Sequence, residues 1–131
     1  MPTVYENFVN RLVEKVSALT LSDGMVEGAQ IGPLICDEAV RRLESVVDEA
    51  VQAGATVAAG GSRLTVGSNF FRPTILTRVR PEMSVCGDEI LGPVASVMQF
   101  KNEDEAIALA NNTRTGLAAY CSRGIGQSGA P

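Results

Sequence analysis

Apolar residues recur every three or four positions near the start of the chain, which is the spacing of an amphipathic helix. Over residues 3–19 these positions are Val4, Phe8, Leu12, Val16 and Leu19. Thr3 with Glu6 three residues later forms a capping-box sequence, which predicts where the helix begins. We therefore expect a first helix with one apolar face directed inward.

Two further helices are predicted by the same spacing. One begins near Asp37, a suitable N-cap, and directs Val40, Leu43, Val47 and Val51 inward. Gly54 is placed to end this helix in the left-handed conformation. The other is capped by Asn102, with Glu105 at the reciprocal position.

Four short apolar runs predict strands. They cover residues 55–59, 71–76, 94–100 and 117–121. Pro73 marks the second as an edge strand or as the beginning of a strand, and residues 63–69 before it predict either a hairpin or a surface excursion. A helix, a glycine turn and a strand in succession make half of a βαβ unit, so the pattern favours the α/β class.

Length and charge exclude several kinds of partner. With 131 residues the chain is one domain at most. Its formal net charge of -4 and scattered basic residues argue against nucleic acid as the main partner. No apolar run approaches the roughly 20 residues of a membrane span, and the N-terminus does not resemble a signal peptide.

The cysteine and histidine content limits which nucleophiles and metal sites the chain can contain. Cys36, Cys86 and Cys121 lack metal-site spacing, and one of them stays unpaired under any disulfide scheme, so a reducing, cytoplasmic setting fits best. The sequence has no histidine, which excludes Ser-His and Cys-His nucleophiles and His-ligated metals. We expect no metal site and no catalytic duty for the three thiols.

Glu89 is the strongest candidate for ligand binding. It lies in the stretch Asp88-Glu89-Ile90-Leu91-Gly92-Pro93-Val94, at the mouth of a predicted buried strand. Open α/β sheets bind ligands beyond the carboxyl ends of their strands. A carboxylate has two acceptor oxygens, which suit the two hydroxyl donors of a ribose. The alternative is a strand-end carboxylate that only faces solvent.

This stretch, together with four others in the same order, resembles the aldehyde dehydrogenase superfamily. The others are Gln30-Ile31-Gly32-Pro33-Leu34-Ile35, Asn69-Phe70-Phe71-Arg72-Pro73-Thr74-Ile75-Leu76, Ala108-Leu109-Ala110-Asn111-Asn112 and Gly116-Leu117-Ala118-Ala119-Tyr120. The resemblance covers about residues 1–126 and is strongest to the succinate-semialdehyde branch. It implies part of an aldehyde dehydrogenase catalytic domain over residues 1–131, with a mostly parallel sheet flanked by helices and a disordered tail at 123–131.

The resemblance also implies a use for NAD or NADP. In the family the acid matching Glu89 binds the nicotinamide ribose. Leu91 stands where the family has a Phe beside the nicotinamide, and Arg42 stands where many relatives have a Lys near the adenosine ribose. Arg42 alternatively is a solvated cation on its helix.

The parts that perform catalysis in the family are not found in this sequence. The family's nucleophilic Cys lies in a Gly-Gln-x-Cys motif, and its base Glu and Rossmann-like half lie further upstream. We therefore assign no catalytic residue and expect this chain to be inactive alone. The rival hypotheses are a module that self-associates through exposed strand edges or apolar faces, and weak nucleotide binding without chemistry.

Overall fold

The chain contains both helices and strands, as the sequence predicts. The computed structural model describes residues 3–65, 67–87 and 89–113 together with Gly116, Ala118 and Tyr120. Its elements are α1 (Val4–Ser17), α2 (Asp37–Gln52), β1 (Thr56–Ala59), β2 (Thr74–Thr77), the short helical turn α3 (Ser84–Gly87), β3 (Val94–Ser96) and α4 (Glu103–Asn111). Within this part of the chain, no helix has both the length and the apolar character of a membrane span.

Helix α1 begins as predicted but does not bury its apolar face. The Glu6 N–H donates to Thr3 Oγ1 at 3.2 Å, and the Thr3 N–H donates to Glu6 Oε2 at 2.6 Å, so the capping box is complete. No residue of α1 is buried, however, and the side chains of Val4 and Phe8 are 88% and 56% exposed. Leu12, Val16 and Leu19 are half-buried, so the predicted inward face is partly covered only toward the end of the helix.

Helix α2 supplies one wall of the core. Val40, Leu43 and Val47 are buried as predicted, whereas Ala50 takes the next inward position and Val51 is exposed. Gly54 has φ 106°, which confirms the left-handed ending. The buried side chains of α2 belong to one core cluster with Phe71, Leu76 and Val85.

The prediction that Asp37 caps α2 is wrong by one residue. Cys36 is the N-cap, in extended conformation, and its side chain makes no capping hydrogen bond. Asp37 is the first helical residue, and its carboxylate pairs with Arg41 and Arg63 instead. A carboxylate in the first turn is still favoured by the helix dipole.

The sheet has the order β1-β2-β3 and is mixed. Strand β1 pairs antiparallel with β2 through Thr56↔Thr77, and β2 pairs parallel with β3 through Thr74↔Val94. The α/β class is confirmed, but in the described residues only one of the two pairings is parallel. The α2–β1 succession is thus not half of a βαβ unit, because a hairpin rather than a crossover follows β1.

That hairpin decides between the two alternatives for residues 63–69. The Arg72 N–H donates to the Ser62 carbonyl at 3.0 Å, and the Leu64 N–H donates to the Phe70 carbonyl at 2.8 Å. Beyond this ladder the chain enters β2 at Thr74, directly after Pro73. Because β2 is the middle strand of the sheet, Pro73 marks the beginning of a strand and does not lie in an edge strand.

The strands are shorter than predicted. Strand β2 is buried at all four residues, whereas β3 is half-buried and ends at Ser96 instead of residue 100. Asn102 caps α4 as expected, its Oδ1 accepting from the Glu105 N–H at 2.9 Å. The predicted strand at 117–121 lies largely outside the described residues and the tail at 123–131 entirely so, and both remain predictions.

An ion cluster that sequence reasoning did not single out fastens the hairpin to α2. Arg63 Nε and Nη2 donate to the two carboxylate oxygens of Glu44 at 2.9 and 3.1 Å, and Nη1 donates to Asp37 Oδ1 at 2.8 Å. The Arg63 side chain is only 17% exposed. Its hydrogen bonds hold the pKa of Asp37 and of Glu44 below their ordinary values, and these carboxylates raise the pKa of Arg63.

Replacing Arg63 by Met is expected to destabilise the chain in a pH-dependent way. Because the folded pKa values of Asp37 and Glu44 are depressed, their stabilisation is present above the unfolded values and lost as pH falls through the folded ones. The difference in free energy of unfolding between wild type and Arg63→Met should therefore shrink below about pH 4. Urea denaturation from pH 7 to pH 3 measures this, with Arg72→Met as the matched control. A difference that stays constant with pH would contradict the assignment.

Candidate cofactor-binding site

The segment that leads into β3 alternates between inward and outward side chains. Ile90 is half-buried and packs against the core, whereas Glu89 is exposed and Leu91 is 71% exposed. The Gly92 N–H donates to the Ile90 carbonyl at 3.1 Å, and the Val94 N–H donates to the Gly92 carbonyl at 2.8 Å. These bonds form two successive tight turns, which hold Glu89 and Leu91 on the outer side.

Gly92 allows this segment to pack closely against α2. A Cβ built on Gly92 would overlap the side chain of Leu43, in the middle of that helix. Only glycine allows so close an approach at this point. The contact therefore sets where Glu89 and Leu91 lie relative to the residues of α2.

Glu89, Leu91 and Arg42, the three residues that the resemblance assigns to the cofactor, line one cavity of about 410 Å³. Arg42 comes from α2 and the other two from the segment before β3, and Ser84 of α3 also lines the cavity. The volume is in the range of small-ligand pockets. The structure thus brings the three residues together, and their binding of a cofactor stays a prediction.

The expected position of Glu89 in the sheet is wrong. Glu89 precedes β3, and Thr74 at the beginning of β2 pairs with Val94 at the beginning of β3. Glu89 therefore lies at the amino ends of the parallel strands and not at the carboxyl ends where open α/β sheets bind ligands. Its strand is also half-buried rather than fully buried. Any ligand role rests on the cavity and not on the general rule for strand ends.

The cavity contains charged groups that the fold does not use. Neither the Glu89 carboxylate nor the Arg42 guanidinium makes a hydrogen bond or ion pair with another described residue. Both are exposed. A carboxylate and a guanidinium without partners leave acceptors and donors available to a ligand that carries both hydroxyl and anionic groups.

A second carboxylate in the cavity is already engaged. Glu49 Oε1 accepts from the Ser45 hydroxyl at 3.0 Å, and its Oε2 accepts from the Ser84 hydroxyl at 3.3 Å. This bridge joins α2 to α3 along the cavity wall. Sequence reasoning missed it, although Arg42, Ser45 and Glu49 recur at helical spacing and so share one face.

Two of the three cysteines, Cys36 and Cys86, lie in the described part of the chain. Cys36 is exposed beside the cavity, and Cys86 is half-buried. Burial, and then the nearby Glu82, raise the pKa of the Cys86 thiol, which disfavours the nucleophilic thiolate. Cys121 lies outside the described residues. Among the residues that are described, no group of Cys, Asp or Glu is arranged to hold a metal ion.

The chain belongs to the aldehyde dehydrogenase family. Residues 2–123 match the model of that family. The solved structure of succinate-semialdehyde dehydrogenase from Burkholderia pseudomallei superposes with a TM-score of 0.87 at 44% identity, covering 93% of this chain and 26% of that one. The fold is therefore that of part of an aldehyde dehydrogenase catalytic domain, as the resemblance implied.

Two relatives show which members of the family the chain is similar to. It is 44% identical over 117 residues to an NADP+-linked succinate-semialdehyde dehydrogenase of Escherichia coli, covering 89% of this chain and 24% of that protein. It is 42% identical over 118 residues to a non-phosphorylating aspartate-semialdehyde dehydrogenase of Halomonas elongata, with 90% and 24% covered. The predicted likeness to the succinate-semialdehyde branch is confirmed. The chain spans about a quarter of the length of these relatives.

Replacing Gly92 by Ala should test the contact that sets the cavity. The added methyl group overlaps Leu43, so we expect the free energy of unfolding to fall by about 1–3 kcal/mol, as in other overpacked cores. Urea denaturation measures the loss. Gly87→Ala is the matched control, because a Cβ there meets nothing within 4 Å. In the Leu43→Ala background the Gly92→Ala cost should be smaller, and an undiminished cost would disprove the contact.

Proposed function

We propose that this chain forms part of the nicotinamide-cofactor site of an NAD(P)-dependent aldehyde dehydrogenase and does not oxidise aldehydes by itself. The observation that carries the proposal is the Glu89 carboxylate, exposed and without a partner among the described residues, on a cavity of about 410 Å³. Family membership supports the cofactor class. The absence of a Gly-Gln-x-Cys motif from the sequence supports the lack of turnover.

The residues of this chain have positioning roles in the proposal. The two Glu89 oxygens accept from the vicinal hydroxyls of the nicotinamide ribose, which fixes the rotation of the sugar. Leu91 offers an exposed apolar surface beside the nicotinamide ring, although it lacks the flat face of the family's Phe. Arg42 provides a cation from α2. The bound cofactor supplies the hydride chemistry.

The substrate proposed for the complete enzyme is a small semialdehyde. The support is the pair of relatives whose names specify succinate semialdehyde and aspartate semialdehyde. Both have a carboxyl group at the end remote from the aldehyde. The residues that contact the 2′-phosphate decide between NAD and NADP. In the aldehyde dehydrogenase family these residues lie in the Rossmann-like half.

Titration with NAD and with nicotinamide mononucleotide tests the role of Glu89. Glu89→Gln keeps the shape of the side chain but removes its charge and one acceptor, so we expect both ligands to bind about tenfold more weakly. Calorimetry or ligand-detected NMR measures the affinities. Glu103→Gln on α4 is the control and should bind as wild type does. Equal affinity of Glu89→Gln and wild type would overturn the assignment of Glu89.

An assay of cofactor reduction with succinate semialdehyde tests the proposed inactivity. No turnover is expected from the 131-residue chain, with or without the Glu89→Gln substitution. Turnover by the wild-type chain that disappears in Glu89→Gln would show that the chain carries its own nucleophile. Cys36→Ser would then identify it, because Cys36 lies beside the cavity.

Self-association is the second candidate function, and a separate observation favours it. Val4 and Phe8 on α1 are largely exposed, and Phe100 beside them is 55% exposed, around an apolar cleft of about 580 Å³. No described strand pairs with the outer edge of β3. Exposed apolar clefts and open strand edges both promote association. We include homo-oligomerisation through this face in the proposal.

Sedimentation velocity tests whether this face associates. The wild-type chain should sediment as a dimer or larger at micromolar concentration, and Phe8→Ser should shift it toward monomer because an apolar contact is lost. Val51→Ser is the matched control, since Val51 is also exposed but lies on α2. A monomeric wild-type chain removes this candidate function.

A further inference from the structure

Arg78 has an unusual backbone conformation. Its φ is +54°, and no other non-glycine residue in the described part of the chain has positive φ. An L-residue with a Cβ is strained in the left-handed region, where glycine is not. Such strain is concentrated at ligand sites and switches, so an observed outlier is a reason to look for a function.

Arg78 follows the last residue of β2, whereas Glu89 precedes β3, so the two lie at opposite ends of the strands. The parallel strands β2 and β3 both end near Arg78, and a cleft of about 1,110 Å³ lies between these carboxyl ends and the first turns of α1. Arg78 and Gln99 line the cleft from the sheet side, and Asn10 lines it from α1. This is the position, beyond the carboxyl ends of parallel strands, where open α/β sheets bind ligands.

Three of the donor side chains that line this cleft have no partner among the described residues. Arg78, Asn10 and Gln99 are exposed, and none of them makes a side-chain hydrogen bond or ion pair to another residue the structure describes. They come from three separate elements. A guanidinium and two amides together offer several N–H donors and one positive charge to the same space.

The other charged residues of the cleft already make hydrogen bonds within the described part of the chain. Arg80 Nε donates to Glu82 Oε1 at 2.6 Å, and its Nη2 donates to the Ala53 carbonyl at 2.8 Å. Glu6, the acidic residue on the wall, accepts the Thr3 N–H in the capping box. Among the described residues that line the cleft, Arg78 therefore carries the cationic charge that has no partner.

We propose that this cleft binds a small oxyanion, a phosphate or a carboxylate group, through Arg78 with Asn10 and Gln99 as supporting donors. Guanidinium groups pair with both kinds of oxyanion through two parallel N–H···O bonds. The site lies at the opposite strand ends from the cofactor cavity and shares no lining residue with it. It is therefore independent of the proposed dehydrogenase function.

Calorimetric titration of the 131-residue chain with inorganic phosphate and with malonate, at constant ionic strength set by NaCl, tests the proposal. We expect dissociation constants on the order of millimolar for at least one of them. Arg78→Gln should weaken that binding at least about tenfold, because it removes the charge and the two-pronged contact. Binding of phosphate alone identifies a phosphate site, and binding of malonate alone identifies a carboxylate site.

Two further variants separate binding from backbone strain. Arg72→Gln is the matched control, because Arg72 is an exposed arginine at the other end of β2, and it should bind as wild type does. Arg78→Gly should raise the melting temperature by a few degrees, since glycine tolerates this backbone conformation, while losing the anion. The proposal is overturned if neither anion binds the wild-type chain, or if both bind Arg78→Gln and wild type equally.

Discussion

The close approach of Gly92 to Leu43 is the contact on which the arrangement of the cavity lined by Glu89, Leu91 and Arg42 depends. Leu43 is buried at the centre of α2, so its side chain is a fixed surface rather than a movable one. The segment before β3 can rest on that surface only because Gly92 has no side chain. Glu89 and Leu91 are then placed by the core itself and not by flexible loop residues. The contact fixes the backbone of this segment, whereas the exposed side chains of Glu89 and Leu91 would still lose rotamer entropy on binding a ligand.

The cavity and the cleft are lined by different charged residues and lie at opposite ends of the parallel strands. At the amino ends of β2 and β3 lies the cavity with Glu89, and at their carboxyl ends lies the cleft with Arg78. A carboxylate without a partner among the described residues lines the first, and a guanidinium of the same kind lines the second. Because a strand of four residues is only about 13 Å long, the two sites are close enough for one short sheet to position both.

The elements with strong local signals could be predicted from the sequence. The capping box at Thr3, the cap at Asn102 and the left-handed Gly54 each depend on residues within a few positions of one another, and the structure has all three. The motif singled out Glu89 as a candidate, and the structure places it on one cavity with Leu91 and Arg42. Its placement at a strand's carboxyl end was wrong, because the direction in which neighbouring strands pair is decided by contacts far apart in sequence.

The same limit explains why the ion cluster was missed. Arg63 lies 19 residues from Glu44 and 26 from Asp37, so no local pattern relates them. Arg63 and Arg78 are the same residue type, yet the fold pairs Arg63 with two carboxylates, whereas Arg78 has no partner among the residues that the structure describes. A paired guanidinium has its donors satisfied, whereas an unpaired one can still exchange its bonds to water for bonds to a ligand. Sequence therefore gives the inventory of charges, and only tertiary pairing decides which of them remain available for binding.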